Sequence, residues 1–409
     1  MSIVKFGRDL PAIYSLILAM CLSMQLYFTW RMPLSIVNFA CALVLLFYLL
    51  NMRVSRQSVW VIMLIVVNFI YNYTHNTILF GFLSFLNLNA LIIISIFVVL
   101  SSVDFKIKLL HAFDLFLKCI CCISLIGWLL YLVGIPLPHY YLDTTDYYSH
   151  EVYYLFVVGA NNILELIPRF CGMFLEPGHI GSTCCLLLYI NRFNFKDKSN
   201  YIYLFSIILS LSLAAYCLFF IGICLHYFLM GKHILKYILF LGVTVFVFYF
   251  ISLTYNDGDN ILNEKIFSRL EIVDGQLSGD NRTSMLFDAY YEDWLKRGDV
   301  ISGYGRKAYG EGNGTSNILH GCASYKRFFF INGIIGSLLV LALYWSLFYR
   351  YRSRQGWGFF TLYIICNMIR DYPFRLMWFY LFILGIVVLS LSEKDTITPI
   401  VKNNIHDAE

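Results

Sequence analysis

Apolar runs of roughly 20 residues recur along the whole chain and are separated by short polar connections. A helix needs about 20 predominantly apolar residues to cross the hydrocarbon core of a bilayer. The pattern therefore predicts about twelve transmembrane helices. The run 201–230 is too long for one crossing and short for two, so we expect two short helices that meet near 210–216. The predicted spans are 11–29, 33–50, 58–73, 85–102, 113–133, 177–190, the two within 201–230, 237–253, 327–349, 357–369 and 374–391.

Two longer polar stretches interrupt this pattern, at residues 134–168 and 254–326. We predict that both are long outer loops of one membrane domain covering residues 1–409, an all-α polytopic membrane protein. The short connections on the opposite side are basic, as the positive-inside rule expects, so both termini are predicted to be cytoplasmic. The basic residues on that side are Lys5, Arg8, Arg53, Arg56, Lys106, Lys108, Arg192, Lys196, Lys198, Lys232, Lys236, Arg350, Arg352 and Arg354.

The composition agrees with a membrane protein and excludes an ordinary soluble domain. Of the 409 residues, 59% are hydrophobic and 13% are charged, whereas soluble domains carry about a quarter charged residues. The net charge of +5 arises largely from the basic connections and does not indicate a nucleic-acid partner. The cysteines lie mostly inside apolar segments, and no cysteine–histidine spacing is typical of zinc. We therefore expect no metal and no cofactor.

The most informative stretch is 169–190, which reads RFCGMFLEPGHIGSTCCLLLYI. Proline suits the first turn of a helix, so Pro177 is predicted to open a helix that runs into the membrane. Arg169, Glu176 and His179 then lie at its outer end. Ionisable groups at a membrane boundary are costly unless they are paired, solvated or used in function. Glu176 is either a proton acceptor or a structural partner of Arg169.

The second outer loop contains one predicted helix and one glycine-rich segment. Residues 280–298 are predicted to form one amphipathic helix, because apolar side chains recur near the helical period at Met285, Leu286, Ala289, Tyr290 and Trp294. Residues 302–317 read SGYGRKAYGEGNGTSN, and glycines of this density allow the backbone to approach a ligand closely. Tyr304 and Arg306 are candidates for contacts with a substrate. A flexible connection without a special role is the alternative.

Several motifs together resemble one family. Arg169, Gly172, Phe174 and Glu176-Pro177, at the start of a membrane helix, resemble the O-antigen polymerase and O-antigen ligase superfamily (Wzy and WaaL type). The resemblance covers about residues 169–341, and the earlier spans match only in hydropathy. The chain departs from the family in the seventh helix, where Ser210-Leu-Ser212-Leu213 lacks the expected arginine. The resemblance continues with Arg282, Gly303-Tyr-Gly305, His320 and Gly333-Ile-Ile-Gly336.

The resemblance implies a metal-independent glycosyltransferase at the periplasmic face of the bacterial inner membrane. Its substrate is an undecaprenyl-pyrophosphate-linked glycan, and its partners are membrane lipids, a chain-length regulator and a flippase. A repeat-unit polymerase of a surface polysaccharide such as O-antigen is the leading expectation. An O-antigen ligase that transfers to lipid A core is the nearest alternative, and a lipid-linked glycan flippase or transporter is the alternative from another class.

The implied chemistry assigns roles to the candidate residues. Arginines bind phosphate through two parallel hydrogen bonds, so they are expected to stabilise the leaving pyrophosphate. Glu176 or His320 is expected to accept the proton of the acceptor hydroxyl, with His179 behind them; a structural role is the alternative for His320. The pyrophosphate-binding candidates are Arg169, Arg282, Arg306, Arg370 and Arg375. For Arg370 and Arg375, the alternative is an interfacial anchor or a local Arg370–Asp371 pair.

Overall fold

The computed structural model describes residues 9–406 except 51, 53, 77–80, 146–147, 160–166, 232–233, 261–262, 269–271, 274–275, 278–284, 299 and 306–323. It is mostly helical. The α-helices are α1 (Leu10–Ser23), α2 (Leu34–Leu49), α3 (Arg56–Asn76), α4 (Phe82–Leu100), α5 (Val103–Leu132), α6 (Pro177–Ile190), α7 (Asn200–Leu209), α8 (Leu213–Leu229), α9 (Ile234–Thr254), α10 (Met285–Arg297), α11 (Tyr325–Arg350), α12 (Arg354–Ile369) and α13 (Leu376–His406).

Five of these helices, α3, α4, α5, α11 and the part of α13 up to Glu393, are long and apolar enough to cross a membrane. Their flanks and those of their neighbours expose large apolar side chains such as Phe47, Trp60 and Phe246, which water does not favour. The molecule is therefore compatible with a membrane-embedded protein. Each predicted span coincides with a helix, including the pair α7 and α8, which meet at Ser210–Ser212. That all twelve cross the membrane stays a prediction.

Helix α13 forms the centre of the helical core. Its side chains between Leu376 and Leu389 are almost all buried, and a helix that is apolar on every face is stable only when it is surrounded. It packs against α1, α5, α6 and α12, while α11 packs along α3 and α2 packs along α4. The start of α6 and the end of α12 consequently lie at the same end of the bundle.

Helix α5 begins earlier than the hydropathy pattern predicts. The two lysines at residues 104–108 predict a connection there, but these residues belong to the first turns of the helix. Ser102 caps the helix by accepting a hydrogen bond from the Phe105 N–H. Lys106 Nζ donates to the carbonyl of Val99 at 3.1 Å, and Lys108 Nζ pairs with Asp104 at 2.8 Å. Because these partners satisfy both ammonium groups, the lysines do not end the helix.

The first outer loop contains a small antiparallel sheet that the helical pattern does not predict. Its strands are β1 (Tyr140–Thr145), β2 (Tyr148–Val152) and β3 (Val157–Gly159), in the order β1-β2-β3. Tyr153 is buried, stacks on Phe156 with centroids 4.8 Å apart and donates a hydrogen bond to Glu151 at 2.5 Å. Some of the loop tyrosines therefore stabilise the sheet, whereas Tyr141 and Tyr154 are exposed.

Helix α10 is present, and among the apolar residues that the sequence places near the helical period and whose side chains the structure describes, only Trp294 is buried. The buried side chains are Phe287 and Trp294, and Tyr291 packs beside them, which gives the spacing i, i+4, i+7 of one helical face. Leu286 and Tyr290 are exposed. The buried face contacts Phe329 and Phe330 of α11. Because apolar residues occur on both sides of α10, the sequence does not indicate which side is buried. The two-residue strands β4 (Ile272–Val273) and β5 (Gln276–Leu277) precede the helix.

Helix α11 is broken at Gly333, which has φ +62° and ψ −164°. Residues 300–305 insert at the break and supply the missing backbone partners. The N–H of Ile334 donates to the carbonyl of Val300 at 3.0 Å, and the N–H of Gly305 donates to the carbonyl of Ile331 at 3.0 Å. A Cβ on Gly303 would lie 2.5 Å from the nitrogen of Gly333. The two glycine motifs of the sequence, 303–305 and 333–336, are therefore direct neighbours.

Candidate functional site

The segment before α6 is fixed by hydrogen bonds from four other elements. Gly172 has φ +56°, and a Cβ there would lie 2.7 Å from Cδ1 of Ile180, so the backbone path requires glycine. The fixed backbone places Glu176 directly before Pro177, the first residue of α6. The bonds are Phe170 N–H to Leu209 O at 3.0 Å, Val157 N–H to Gly172 O at 2.9 Å, Tyr27 N–H to Met173 O at 2.9 Å, and His150 Nε2–H to Leu175 O at 2.9 Å.

Glu176 forms an ion pair with Arg370, which follows α12. The distance between Glu176 Oε2 and Arg370 Nη1 is 2.6 Å, which is typical of a strong charge-assisted hydrogen bond. Arg370 is only 8% exposed. Burial works to lower the pKa of Arg370, but the charge of Glu176 and the Tyr372 phenol more than offset burial and raise it above its ordinary value. The guanidinium is therefore a permanent buried cation.

His179 and Tyr372 complete this cluster. Nε2 of His179 lies 3.1 Å from Arg370 Nη1 and 3.0 Å from the Tyr372 hydroxyl. Since a guanidinium can only donate, Nε2 accepts, and the imidazole is neutral with its proton on Nδ1. We refer to Glu176, His179, Arg370 and Tyr372 as the ion-pair cluster.

Gly178 makes room for the ion-pair cluster. A Cβ at this position would lie 2.4 Å from Arg370 Nη2 and 3.1 Å from Arg370 Cζ. The guanidinium is consequently packed directly on the first turn of α6. This contact depends on glycine in the EPGH sequence, a requirement for which the sequence alone gives no reason.

Arg169 approaches the end of α7. Its Nε donates to the carbonyl of Ser210 at 3.3 Å. Ser210 belongs to the segment in which the resemblance expects an arginine and this chain has none. A guanidinium is present there nevertheless, because Arg169 reaches it from the segment before α6. The sequence suggests Arg169 as the structural partner of Glu176, and that contact stays a prediction; Glu176 forms an ion pair with Arg370.

Residues 370–375, RDYPFR, connect α12 to α13, and their charged side chains point to different partners. Asp371 Oδ2 lies 3.5 Å from Arg327 Nε at the start of α11. Burial raises the pKa of Asp371, although Arg327, its backbone contacts, Arg375 and Arg370 work to lower it. Arg375 Nη1 donates to the carbonyl of Ser23 at 2.7 Å. The ion pairs therefore join elements distant in sequence and do not include the local Arg370–Asp371 pair.

A cavity of about 460 Å³ lies between the ends of α2, α3, α4 and α11 and residues 371–375. Arg327, Asp371 and Arg375 are in its wall, together with the side-chain amides of several asparagines. Tyr372 is also in the wall, so that one residue belongs to both the cavity and the ion-pair cluster. The two sites are adjacent at the same end of the bundle.

The remaining candidates lie in or near the second outer loop. Tyr304 stacks on Phe330 with centroids 5.5 Å apart and is 47% exposed. Its neighbour Gly305 is bonded to Ile331, which lines the cavity. Arg282, Arg306 and His320 lie outside the residues that the structure describes.

The sequence does not single out Tyr372 or Arg327, and it offers Asp371 only as a local partner of Arg370. The available signal is the hexapeptide at 370–375, in which three charges stand between two apolar runs. Its two arginines are candidates, but their partners are remote in sequence, so their geometry cannot be inferred from the chain.

His150 supports the site from β2. It is buried, lies beside Trp30 with ring centroids 5.1 Å apart and donates to the carbonyl that precedes Glu176. Burial lowers the pKa of His150 below its ordinary value, although the bond to Leu175 and the charge of Glu176 work to raise it. The neutral ring therefore connects the small sheet to the segment that carries Glu176.

The chain matches no protein-family model, no curated protein and no solved structure. Its function is consequently argued from the site and from the motifs that the fold brings together.

Proposed function

We propose that the protein is a polymerase of undecaprenyl-pyrophosphate-linked oligosaccharide repeat units, a glycosyltransferase of surface polysaccharide synthesis. The observation that carries this proposal is the buried ion pair between Glu176 and Arg370 at the start of α6. It combines a permanent cation with a carboxylate at one end of an apolar helical bundle. The motif resemblance at 169–177 points independently to Glu176, one of these two residues.

The chemistry requires a cation for the leaving group and an acceptor for one proton. The bond between the sugar C1 and the pyrophosphate oxygen breaks, and the oxygen of the acceptor hydroxyl forms the new bond to C1. The pyrophosphate leaves as an anion, and the hydroxyl proton passes to a base. Arg370 is assigned to the pyrophosphate, together with Arg169, Arg282, Arg306 and Arg375, because guanidinium groups stabilise developing phosphate charge.

The ion pair suggests how substrate binding prepares the base. Arg370 Nε is buried and has no hydrogen-bond partner among the described residues, so it offers an N–H to a phosphate oxygen. A pyrophosphate that takes over Arg370 also competes with Glu176 for the guanidinium. The released carboxylate then accepts the hydroxyl proton, with His320 as the other candidate. His179 and Tyr304 are assigned to substrate positioning.

The test is the lipopolysaccharide banding pattern of a bacterial strain from which the chain is deleted. We expect a ladder that collapses to core with a single repeat unit and that returns with the wild-type chain. Arg169→Ala, Arg282→Ala and Glu176→Gln should not restore it, although each protein is present in the membrane. Arg352→Ala, which changes an exposed arginine at the other end of the bundle, is the control and should restore the ladder.

Each other outcome points to a different function. Core without any unit contradicts a polymerase and supports the ligase or a block in flipping. Flipping measured in vesicles separates these two, because a ligase mutant leaves it intact. An unchanged ladder contradicts O-antigen as the product, and capsule and exopolysaccharide are then assayed in the same strain. Wild-type chain lengths in all three site variants contradict the assignment of the site.

A further inference from the structure

Four asparagines line the cavity beside the ion-pair cluster. They are Asn72 and Asn76 of α3, Asn87 of α4 and Asn332 of α11. All four lie near the same ends of helices that are otherwise strongly apolar. Amide groups are costly in an apolar environment unless they form hydrogen bonds. Four of them around one cavity therefore require an explanation.

Bonds between the helices account for part of these amides. Asn38 donates to Asn87 Oδ1 at 2.9 Å, and Asn76 Nδ2 donates to Asn72 Oδ1 at 2.6 Å and to Asn332 Oδ1 at 3.3 Å. The bonds from Asn38 to Asn87 and from Asn76 to Asn332 join neighbouring helices, whereas the bond from Asn76 to Asn72 lies within α3. These hydrogen bonds involve Oδ1 of Asn72, Oδ1 of Asn87 and Nδ2 of Asn76. They leave Nδ2 of Asn72, Nδ2 of Asn87 and Oδ1 of Asn76 unused. Asn72, Asn76 and Asn87 all line the cavity of about 460 Å³.

The chemistry of the wall fits sugar hydroxyls better than phosphate. A carboxamide both donates and accepts, as a hydroxyl does, whereas phosphate oxygens only accept and are best bound by arginine. The wall also holds two arginines: Arg327 pairs with Asp371, and Arg375, which is among the residues assigned to the pyrophosphate, bonds to the carbonyl of Ser23. The aromatic rings of Phe69 and Phe374, with centroids 5.4 Å apart, supply flat apolar surface for the C–H faces of sugar rings.

We infer that this cavity is a saccharide-binding site, in which the asparagine amides bind hydroxyl groups of the repeat-unit glycan. The inference extends the proposed function, because a saccharide in the cavity contacts Tyr372 and thereby lies next to Arg370, where the lipid pyrophosphate is assigned. The volume of the cavity, about 460 Å³, is within the range of small-molecule sites. The cavity and the ion-pair cluster then bind two parts of one reaction, the sugar and the phosphate.

The test is direct binding to the purified full-length protein in detergent. The probe is the free oligosaccharide repeat unit, released by mild acid from the lipid-linked intermediates of the source bacterium and followed by saturation-transfer NMR and titration calorimetry. Asn72→Ala and Asn87→Ala should each weaken binding roughly tenfold, the loss expected for one amide hydrogen bond. Asn89→Ala should leave binding unchanged, because Asn89 is on the same helix and bonds to its own backbone at Phe85.

A second variant keeps the test decisive where an asparagine variant is unstable. Ser35→Phe adds bulk at the cavity wall without removing an amide, and it should weaken binding at least roughly tenfold because the cavity is filled. The inference is overturned by absence of saccharide binding in the wild type, by binding of inorganic pyrophosphate alone, or by unchanged binding in Ser35→Phe. Lower stability with unchanged binding in Asn87→Ala also overturns it, since the amides then only join helices.

The experiment separates this inference from the proposed function. Glu176→Gln should keep saccharide binding while it loses chain growth, because it alters the transfer site and leaves the cavity intact. Saccharide binding in a protein whose deletion leaves the ladder and other glycans unchanged would retain the cavity and reject the polymerase. Loss of the ladder without saccharide binding would retain the polymerase and reject the cavity.

Discussion

At the scale of single residues, the site depends on how a buried charge is neutralised. Arg370 is buried and is held by Glu176 at 2.6 Å. Breaking a buried ion pair by removing one partner is usually more costly than replacing both partners. The pair can therefore be tested for stability and for activity separately.

We predict that Glu176→Gln lowers both the stability and the activity of the protein. The uncompensated Arg370 should cost about 3 kcal/mol, at the lower end of the range for buried pairs, because Glu176 is partly exposed. The thermal unfolding midpoint in detergent and chain growth in cells measure the two effects. Replacing Arg370 by Gln as well should recover most of the stability and none of the chain growth. A double variant less stable than Glu176→Gln would contradict a stabilising role for the pair.

A second prediction at this scale concerns pH. The pKa of His150 is lowered from 6.5 by burial, so as pH falls below about 6.5 the unfolded chain takes up the proton first. Stability that is fully present above this pH is therefore lost as pH falls toward the lowered pKa of the folded state. The unfolding midpoint should drop between pH 7.5 and pH 5.5, and His150→Gln should reduce that drop. An identical drop in the variant would exclude His150 as its origin.

At the scale of elements, the break in α11 is the main departure from a regular bundle. Irregular backbone in a membrane protein is tolerated where other parts of the protein satisfy its polar groups. Residues 300–305 provide those partners at Gly333, and the Tyr71 hydroxyl donates to the carbonyls of Ser302 and Asn332 at 2.8 and 2.9 Å. The break therefore connects the second outer loop to α3 and to the wall of the cavity.

We predict that Gly303→Ala and Gly333→Ala each destabilise the protein and abolish chain growth. Both positions have positive φ, which costs a residue with a side chain about 1–2 kcal/mol, and at each position the added Cβ would meet backbone atoms within 2.5 Å. Gly242→Ala is the matched control, since a Cβ added at Gly242 would meet nothing within 4 Å. Unfolding midpoints and glycan chain length measure the effects; wild-type behaviour of Gly303→Ala would mean that the contact is dispensable.

The sequence predicts the positions of the helices well and the contacts of the site poorly. Periodicity and length locate α7 and α8 as a broken pair, because the apolar run itself has an unusual length. They do not predict the strands β1–β3, whose polar tyrosine-rich pattern carries no helical signal. Nor do they predict that Glu176 pairs with Arg370, because the packing of α6 against α12 and α13 decides that contact.

At the scale of the whole molecule, the two ends of the bundle differ in chemistry. The ion-pair cluster, the cavity and the small sheet lie at one end. The other end carries Lys108 with Asp9 at 3.0 Å and Arg350, which donates to the Ser58 hydroxyl at 3.0 Å. Lys108 and Arg350, two of the basic residues predicted to be cytoplasmic, therefore lie at the end opposite the candidate site.

We predict that the end with the ion-pair cluster faces the periplasm. In a background whose native cysteines are replaced by alanine, Tyr154→Cys and Tyr304→Cys should react with a membrane-impermeant maleimide in intact cells. Lys198→Cys should react only after the cells are permeabilised. All three positions are exposed, so a difference in labelling reports orientation and not burial. The reverse pattern of labelling would place the site in the cytoplasm.

The position of Tyr372 has a consequence for the order of binding. The residue is in the cavity wall, and its hydroxyl lies 3.0 Å from His179 Nε2. A ligand at one site that favours one position of the phenol would therefore change the free energy of binding at the other site. Thermodynamic linkage makes this effect reciprocal: occupancy at Arg370 changes affinity in the cavity by the same factor. A coupling of about 1–3 kcal/mol corresponds to roughly 5- to 150-fold. One tyrosine is thus sufficient to make two binding events cooperative without any movement of the helices.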